Sequence, residues 1–204
     1  MPEAPATARQ RQREATRERI LEAAADVFGE KSFLGSSTRE IARRADTNQG
    51  LITYYFQSKE ELWRAAADRI FEGLETRLAE RLIAREPSNR RERAREGIRE
   101  YVRFAAAHPE LFRIMVDEGR VADDRMKWLV DTHLRPRFQA ISRGLIEVAG
   151  IDEALLPHAF YALAGAASLM FAVAPECRRL TGLDPRTAGA VETHADFVAR
   201  LLVP

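Results

Sequence analysis

The stretch from Ser36 to Trp63, SSTREIARRADTNQGLITYYFQSKEELW, constrains this chain more than any other part of it. Ser37 and Glu40 hold the S-x-x-E spacing of a capping box, which opens a short helix through Ala45 with Ile41 and Ala42 on its apolar side. Asp46 and Thr47 follow as a turn. Asn48 is placed to cap a second helix over residues 49–55, whose Ile52 and Phe56 are spaced to reach back onto the first. Ser58 and Glu61 repeat the capping-box spacing and start a third helix, expected to run to about residue 83. Two short helices joined by a tight turn within about twenty residues make a helix-turn-helix.

Upstream, residues 14–31 carry Ile20, Leu21, Ala24, Val27 and Phe28 at helical spacing, one apolar stripe for a small three-helix core. Phe33 and Leu34 are expected to close its far side. Residues 1–13 are rich in Pro, Ala and Arg without apolar periodicity and read as a flexible basic tail. Its Arg9, Arg11 and Arg13 either follow a phosphate backbone or minor groove, or belong to a solvated tail with no specific role.

The charge balance is modest. Over 204 residues the formal net charge is +1, which excludes a nucleic-acid binder working by bulk charge. Residues 7–59 hold ten Lys/Arg against seven Asp/Glu, so +3, leaving −2 for the rest; the asymmetry has the sign DNA requires. A single cysteine, Cys177, excludes a disulfide framework and a cysteine zinc cluster. No apolar run reads as long enough to span a bilayer, and the N-terminus lacks a signal-peptide core, so the expected location is cytoplasmic.

Beyond the third helix the chain reads as helices throughout, with no strand pattern, hairpin signal or internal repeat. Breaks fall at Glu86-Pro87, at His108-Pro109, near Gly119 and at Gly150. A long helix over residues 124–149 should kink or break near His133, because Pro136 lies inside it. An apolar helix is expected over residues 153–176, and a last one from Pro185 to Leu202 with Asp184 as its cap. The fold class is all-α with about nine helices.

Several motifs resemble one family in register. TREIARRADTNQGLITYYFQSKEEL is similar to the DNA-binding segment of the tetracycline-repressor (TetR) family, and RERILEAAADVFGEKSF to that family's first helix. The likeness covers residues 16–66. Three departures are visible: the family usually places Gly where Asp46 and Ser32 stand, and an apolar residue where Thr47 stands. Asp tolerates left-handed backbone better than most residues, so the turn should form.

A helix-turn-helix reads DNA with short polar side chains at the start of its second helix. Asn48, Gln49, Gly50, Thr53 and Tyr54 occupy those positions. The resemblance implies that Gln49, Gly50, Thr53 and Tyr54 meet bases and backbone, that Tyr55 and Lys59 grip phosphate, and that Thr38 and Arg39 contact DNA from the preceding helix. It implies a helix-turn-helix domain over residues 14–60 and an effector-binding and dimerisation domain over residues 61–204. The function implied is a sequence-specific transcriptional regulator, a homodimeric repressor released from operator DNA by a small molecule.

For that effector, Tyr101, Phe104, Phe112, Met115, Trp128 and His133 either line a cavity or fill a core; an apolar or aromatic lining would suit a largely apolar ligand. The small and apolar residues Ala159, Ala162, Gly165 and Ala166, with Phe197, Val198 and Leu201, suit a four-helix bundle across a two-fold axis. A fully buried central helix in a monomer is the competing explanation. No phosphate loop, nucleophile elbow or paired His/carboxylate motif points to an enzyme, and no metal or cofactor is expected. A scaffold for protein partners would account for the helices but not for the polar set from Asn48 to Lys59.

Overall fold

The computed structural model describes residues 8–85 and 87–203, and all regular structure among them is helical, as the periodicity requires. The chain divides into two compact units, Met1–Ile70 and Phe71–Pro204.

The first unit comprises α1 (Ala8–Gly35), α2 (Thr38–Arg44), α3 (Gln49–Tyr55) and the start of α4 (Lys59–Arg85). α1 begins six residues before the expected start. Of the anticipated tail, residues 1–7 lie outside the described residues, while Ala8 to Arg13 are helical. The run A-R-Q-R-Q-R consists of strong helix formers, and an apolar stripe is not needed to extend a helix already nucleated downstream. Ile20, Leu21, Ala24, Val27 and Phe28 are buried, as are Ile41, Ala42, Ile52, Phe56, Leu62, Trp63 and Ala66 of the helices that follow. Phe33 stacks on Phe28 at 6.0 Å, but Leu34 is 83% exposed and does not close the core.

The reason is Ser32, whose φ of 60° and ψ of 173° interrupt the regular helix, so that Phe33 still packs inward while Leu34 bears on solvent. Ser32 and Asp46 (φ 49°) are the non-glycine residues with positive φ among those described, and they are the two positions where a glycine was to be expected. At Asp46 the cause is plain. Asp46 N–H donates to Arg43 O and Thr47 N–H to Ala42 O, the bonds of a Schellman-type turn, whose central residue must be left-handed.

The second unit holds the rest of α4, then α5 (Arg90–Ala107), α6 (Pro109–Glu118), α7 (Asp124–Leu129), α8 (Arg135–Gly144), α9 (Leu156–Ala172), α10 (Ala174–Thr181) and α11 (Ala188–Leu202). Its core joins α5, α9 and α11 through Ile98, Val102, Leu163, Ala167, Phe171, Ala195, Val198 and Ala199. α7 and α8 run on through a π-helical turn, Val130–Leu134, in which Arg135 N–H reaches back to Val130 O. One extra residue in that turn makes room for the Pro136 ring, so the helix is locally widened rather than broken. Arg137 Nη1 donates to His133 O at 2.7 Å and satisfies one of the carbonyls that the proline disturbs.

Two expected boundaries are corrected. The apolar helix stops at Ala172 instead of residue 176, because Pro175 has no N–H to offer Phe171 O and restarts the chain as α10 from its first turn. The last helix is capped by Thr187, whose Oγ1 accepts from Ala190 N–H, whereas Asp184 accepts from Arg186 N–H within the preceding turn. Residues Glu153–Ala172 are, by length and composition, long and apolar enough to cross a membrane, contrary to expectation. In the fold this segment places Leu163, Ala167, Ser168 and Phe171 in the core of the second unit.

α4, α5 and α11 are also tied by charge. Glu96 and Glu100 are buried; Arg81 donates to Glu96 at 2.7 Å, Arg103 bridges both carboxylates, and Arg77 lies 3.5 Å from Glu100. Arg103 also clamps Glu192 with two bonds of 2.8 Å, and Arg99 reaches Asp196 at 2.8 Å. Burial acts to raise the Glu96 carboxyl, but Arg81 and Arg103 outweigh it and hold it below its ordinary range.

Backbone strain and buried charge each lead to a measurable outcome. Replacing Ser32 or Asp46 by Gly should each raise unfolding free energy by about 1 kcal/mol in urea titrations, the strain relieved less the added unfolded-state entropy. Because the folded Glu96 carboxyl titrates lower than the unfolded one, its contribution is present above pH ~4.3 and is lost as pH falls through the folded value. Glu96→Gln should therefore cost about 2 kcal/mol at pH 7 and progressively less as the pH drops below ~4.3, read from the same titrations.

Candidate nucleic-acid interface

The exposed face of the first unit is built by caps. Ser37 Oγ accepts from Glu40 N–H at 3.3 Å and starts α2; Asn48 Oδ1 accepts from Leu51 N–H at 2.9 Å and starts α3. Ser58 Oγ accepts from Glu61 N–H at 3.0 Å, and the Glu61 carboxylate accepts from Gln57 N–H, so the start of α4 is fixed as well. α2 is held to α1 by Lys31, which donates to both Glu40 oxygens, and by Arg44, which donates to Glu30. The hydrogen bond from Lys31 holds the Glu40 carboxyl below its ordinary range.

The sequence-predicted residues fall into two groups. Arg39, Asn48, Gln49, Gly50, Thr53 and Tyr54 bear on solvent, with Thr38 and Arg39 at the start of α2 and the rest on α3 or its cap. Gln49 Nε2 donates to Thr38 Oγ1 at 3.1 Å, which ties the first residue of α3 to the first residue of α2. Thr53 Oγ1 donates to Gln49 O, which holds its side chain in place one turn further on. A Cβ at Gly50 would stand 3.1 Å from the capping Asn48 Oδ1, a tight approach to which the cap would have to yield by a few tenths of an ångström. The missing side chain of Gly50 also lets a ligand approach the backbone of α3.

Tyr55 and Lys59 are engaged inside the unit. Lys59 Nζ donates to Ser36 O at 2.6 Å and lies 4.6 Å from the Phe33 ring centroid, so it braces the turn between α1 and α2. Tyr55 is half-buried, and its hydroxyl donates to Arg13 O at 3.2 Å. Arg13 is the residue that sequence reasoning places in a tail and the fold places at α3: its Nη2 donates to Tyr54 Oη at 2.6 Å. A contact across 41 positions leaves no periodic trace in the sequence.

In the second unit the six aromatic and apolar candidates separate. Tyr101 packs on the α5–α9–α11 core and accepts from Ser168 Oγ at 3.4 Å; burial pushes its phenol up. Phe104 is buried with its ring 3.7 Å from where a Cβ on Gly73 would stand. His133 is buried between Phe71, on which it stacks at 4.4 Å, and Trp128, which it meets edge-on at 5.2 Å. Phe112 and Met115 are half-buried on α6. Among the described residues, no group of three or more His, Cys, Asp or Glu is placed to hold a metal ion.

Of the anticipated pairing face, Ala162, Phe197 and Leu201 are exposed, and Ala159, Gly165 and Ala166 are half-buried. Val198 does not belong to it, with 0% exposure against 60% for Phe197. One residue is a step of about 100° around α11, so Phe197 and Leu201 share the outer face while Val198 turns inward beside Ala195 and Ala199. Tyr161, which lies within the apolar run expected to pair, and Leu169, which sequence reasoning missed, extend the outer face of α9.

Comparison with known proteins agrees with this construction. Residues 20–66 match the family described as bacterial regulatory proteins, tetR family. The chain is 31% identical over 207 residues to the HTH-type transcriptional repressor Rv3405c of Mycobacterium tuberculosis, covering 98% of this chain and 97% of that protein. It spans little more than half the length of some other curated relatives, such as the HTH-type transcriptional repressor NicS of Pseudomonas putida, 32% identical over 54% of this chain and 51% of NicS. Among solved structures, AibR in complex with isovaleryl coenzyme A and operator DNA shares the fold with a TM-score of 0.71 at 17% identity, over 93% of this chain and 98% of AibR. The residues matched in the first unit, and the near full-length likeness to Rv3405c, show that this chain belongs to the TetR family.

Proposed function

We propose that this protein is a sequence-specific, DNA-binding transcriptional repressor that acts in the cytoplasm as a homodimer. The observation that carries this reading is one polar face. Thr38, Arg39, Gln49, Gly50, Thr53 and Tyr54 stand on two short helices whose starts are fixed by side-chain caps and whose inner faces are buried. Amide, guanidinium and hydroxyl groups are the ones that pair with base edges and phosphate oxygens in a major groove. The repressor sense is supported by the names of Rv3405c and NicS.

Pairing of two copies is supported by the apolar outer face of α9 and α11, where Tyr161 is 76% exposed and Phe197 and Leu201 more than half. A two-fold dimer would present two reading helices to half-sites about 34–36 Å apart, one helical turn of DNA. The effector reading is a small, largely apolar ligand among the aromatic residues that meet α4. Phe104 lies against Gly73, and His133 stacks on Phe71; the same helix carries Trp63 and Ala66 into the DNA-binding core. AibR, solved in complex with isovaleryl coenzyme A and operator DNA, supports a small-molecule effector for a protein of this fold. Such a ligand releases DNA only to the extent that it prefers the conformation DNA does not.

Binding of the full-length protein to a duplex selected from a random pool tests the reading. Arg39→Ala and Tyr54→Ala should each weaken binding to the selected duplex by about 1–3 kcal/mol in anisotropy titrations. Unchanged affinity in both would sink the assignment of this face. Ala162→Glu should give monomers in sedimentation at micromolar concentration and lose operator binding with them. A wild type that is monomeric with operator affinity intact would remove the dimer from the proposal.

A further inference from the structure

We infer that Arg13 is a positioning residue for DNA readout, one that fixes the Tyr54 hydroxyl as a hydrogen-bond donor and thereby selects an acceptor on the DNA. The inference rests on the DNA-binding reading above and deepens it.

Arg13 grips both tyrosines at the end of α3 at once. Its Nη2 donates to Tyr54 Oη at 2.6 Å, and the guanidinium carbon lies 5.6 Å from the Tyr54 ring centroid. Its carbonyl accepts from the Tyr55 hydroxyl at 3.2 Å. The two tyrosine rings meet edge-on at 5.2 Å, so each limits where the other can turn. Tyr54 is otherwise 63% exposed, and a phenol that free would sample several rotamers and both hydrogen-bonding senses.

A guanidinium has donors and no acceptor. The Tyr54 oxygen therefore accepts from Arg13, and the phenol proton is left for a partner on the other side. That partner must accept: a phosphate oxygen, or an acceptor on a base edge such as guanine O6 or N7 or thymine O4. Exocyclic amines of adenine and cytosine, which only donate, are disfavoured at this contact. The remaining guanidinium N–H groups add positive charge beside it. The extension of α1 past its core also acquires a purpose, because Ala8 to Ala15 are all exposed and Thr16 is the first buried residue of the helix.

The test is a double-mutant cycle on the full-length protein, using a duplex enriched by the wild type from a random pool and a duplex of scrambled sequence. Arg13→Ala and Tyr54→Phe should each weaken binding to the enriched duplex about tenfold, and the double variant should be no weaker than either single one, because both remove the same oriented contact. Arg13→Lys, which keeps a donor for the Tyr54 oxygen, should recover most of the loss. Loss on the enriched duplex alone identifies a base-edge acceptor; equal loss on both duplexes identifies a phosphate oxygen. Losses that multiply to about a hundredfold in the double variant, or no recovery with Arg13→Lys at an unchanged melting temperature, would overturn the inference. If the wild type enriches no sequence, the regulator reading itself falls and this inference with it.

Discussion

Two carboxylates buried between helices set the terms for the second unit. Glu96 and Glu100 lie one turn apart on α5, facing α4 and α11, where apolar side chains would otherwise fill the space. A buried carboxylate without a partner is costly, so the arrangement stands only because Arg77 and Arg81 come from α4 and Arg99 and Arg103 extend from α5 toward Asp196 and Glu192 of α11. An apolar seam would join three helices at less cost. The charged one fixes their register, because sliding any of them by a turn would strand a charge. Arg103 illustrates the point: its bidentate bond to Glu192 raises its own affinity for the proton while its other edge serves Glu96 and Glu100.

The first unit is held differently. Its helices are short, and α2 and α3 have only seven residues each, too few to persist by propensity. Caps and a shared apolar core carry them, with ion pairs on the rim. Two backbone positions oppose this stability, Ser32 before α2 and Asp46 after it. The polar face of α2 and α3 therefore includes a helix bracketed by strained residues, and local opening should start there before the core of α1 and α4 yields.

What the residues reveal, and what they conceal, follows the range of the interactions. Ser37, Asn48 and Ser58 are local signals, each satisfied three residues downstream, and the helices they begin lie where the spacing places them. The stripe on α1 is equally local. Arg13, by contrast, looks in sequence like one more arginine in a charged run, and only the fold brings it to Tyr54. Glu96 and Glu100 sit in the run RERAREGIRE of α5, which any periodicity argument assigns to a solvated face. Their burial depends on α4 and α11, and the network around them reaches across 97 positions from Arg99 to Asp196. Val198 escapes for a smaller reason, since an apolar neighbour of Phe197 need not share its side of the helix. Pro175 is legible, but a proline at the end of an apolar run reads as the close of that helix rather than as the first turn of a new one.

Gly165 carries a consequence of a different kind. It lies in the middle of α9, and a Cβ added there would meet nothing within 4 Å in its own chain. Alanine would suit an isolated helix better by roughly 1 kcal/mol. The fold of a single chain thus gives no reason for glycine at this position, and a method that scores residues by how well they fit their own protomer would mark it as free to vary. Any selection that keeps it must act through what approaches α9 from outside. Gly97, Gly144 and Gly189 are as open within their own helices, so at each of these positions the packing of the single chain leaves the choice of glycine unexplained.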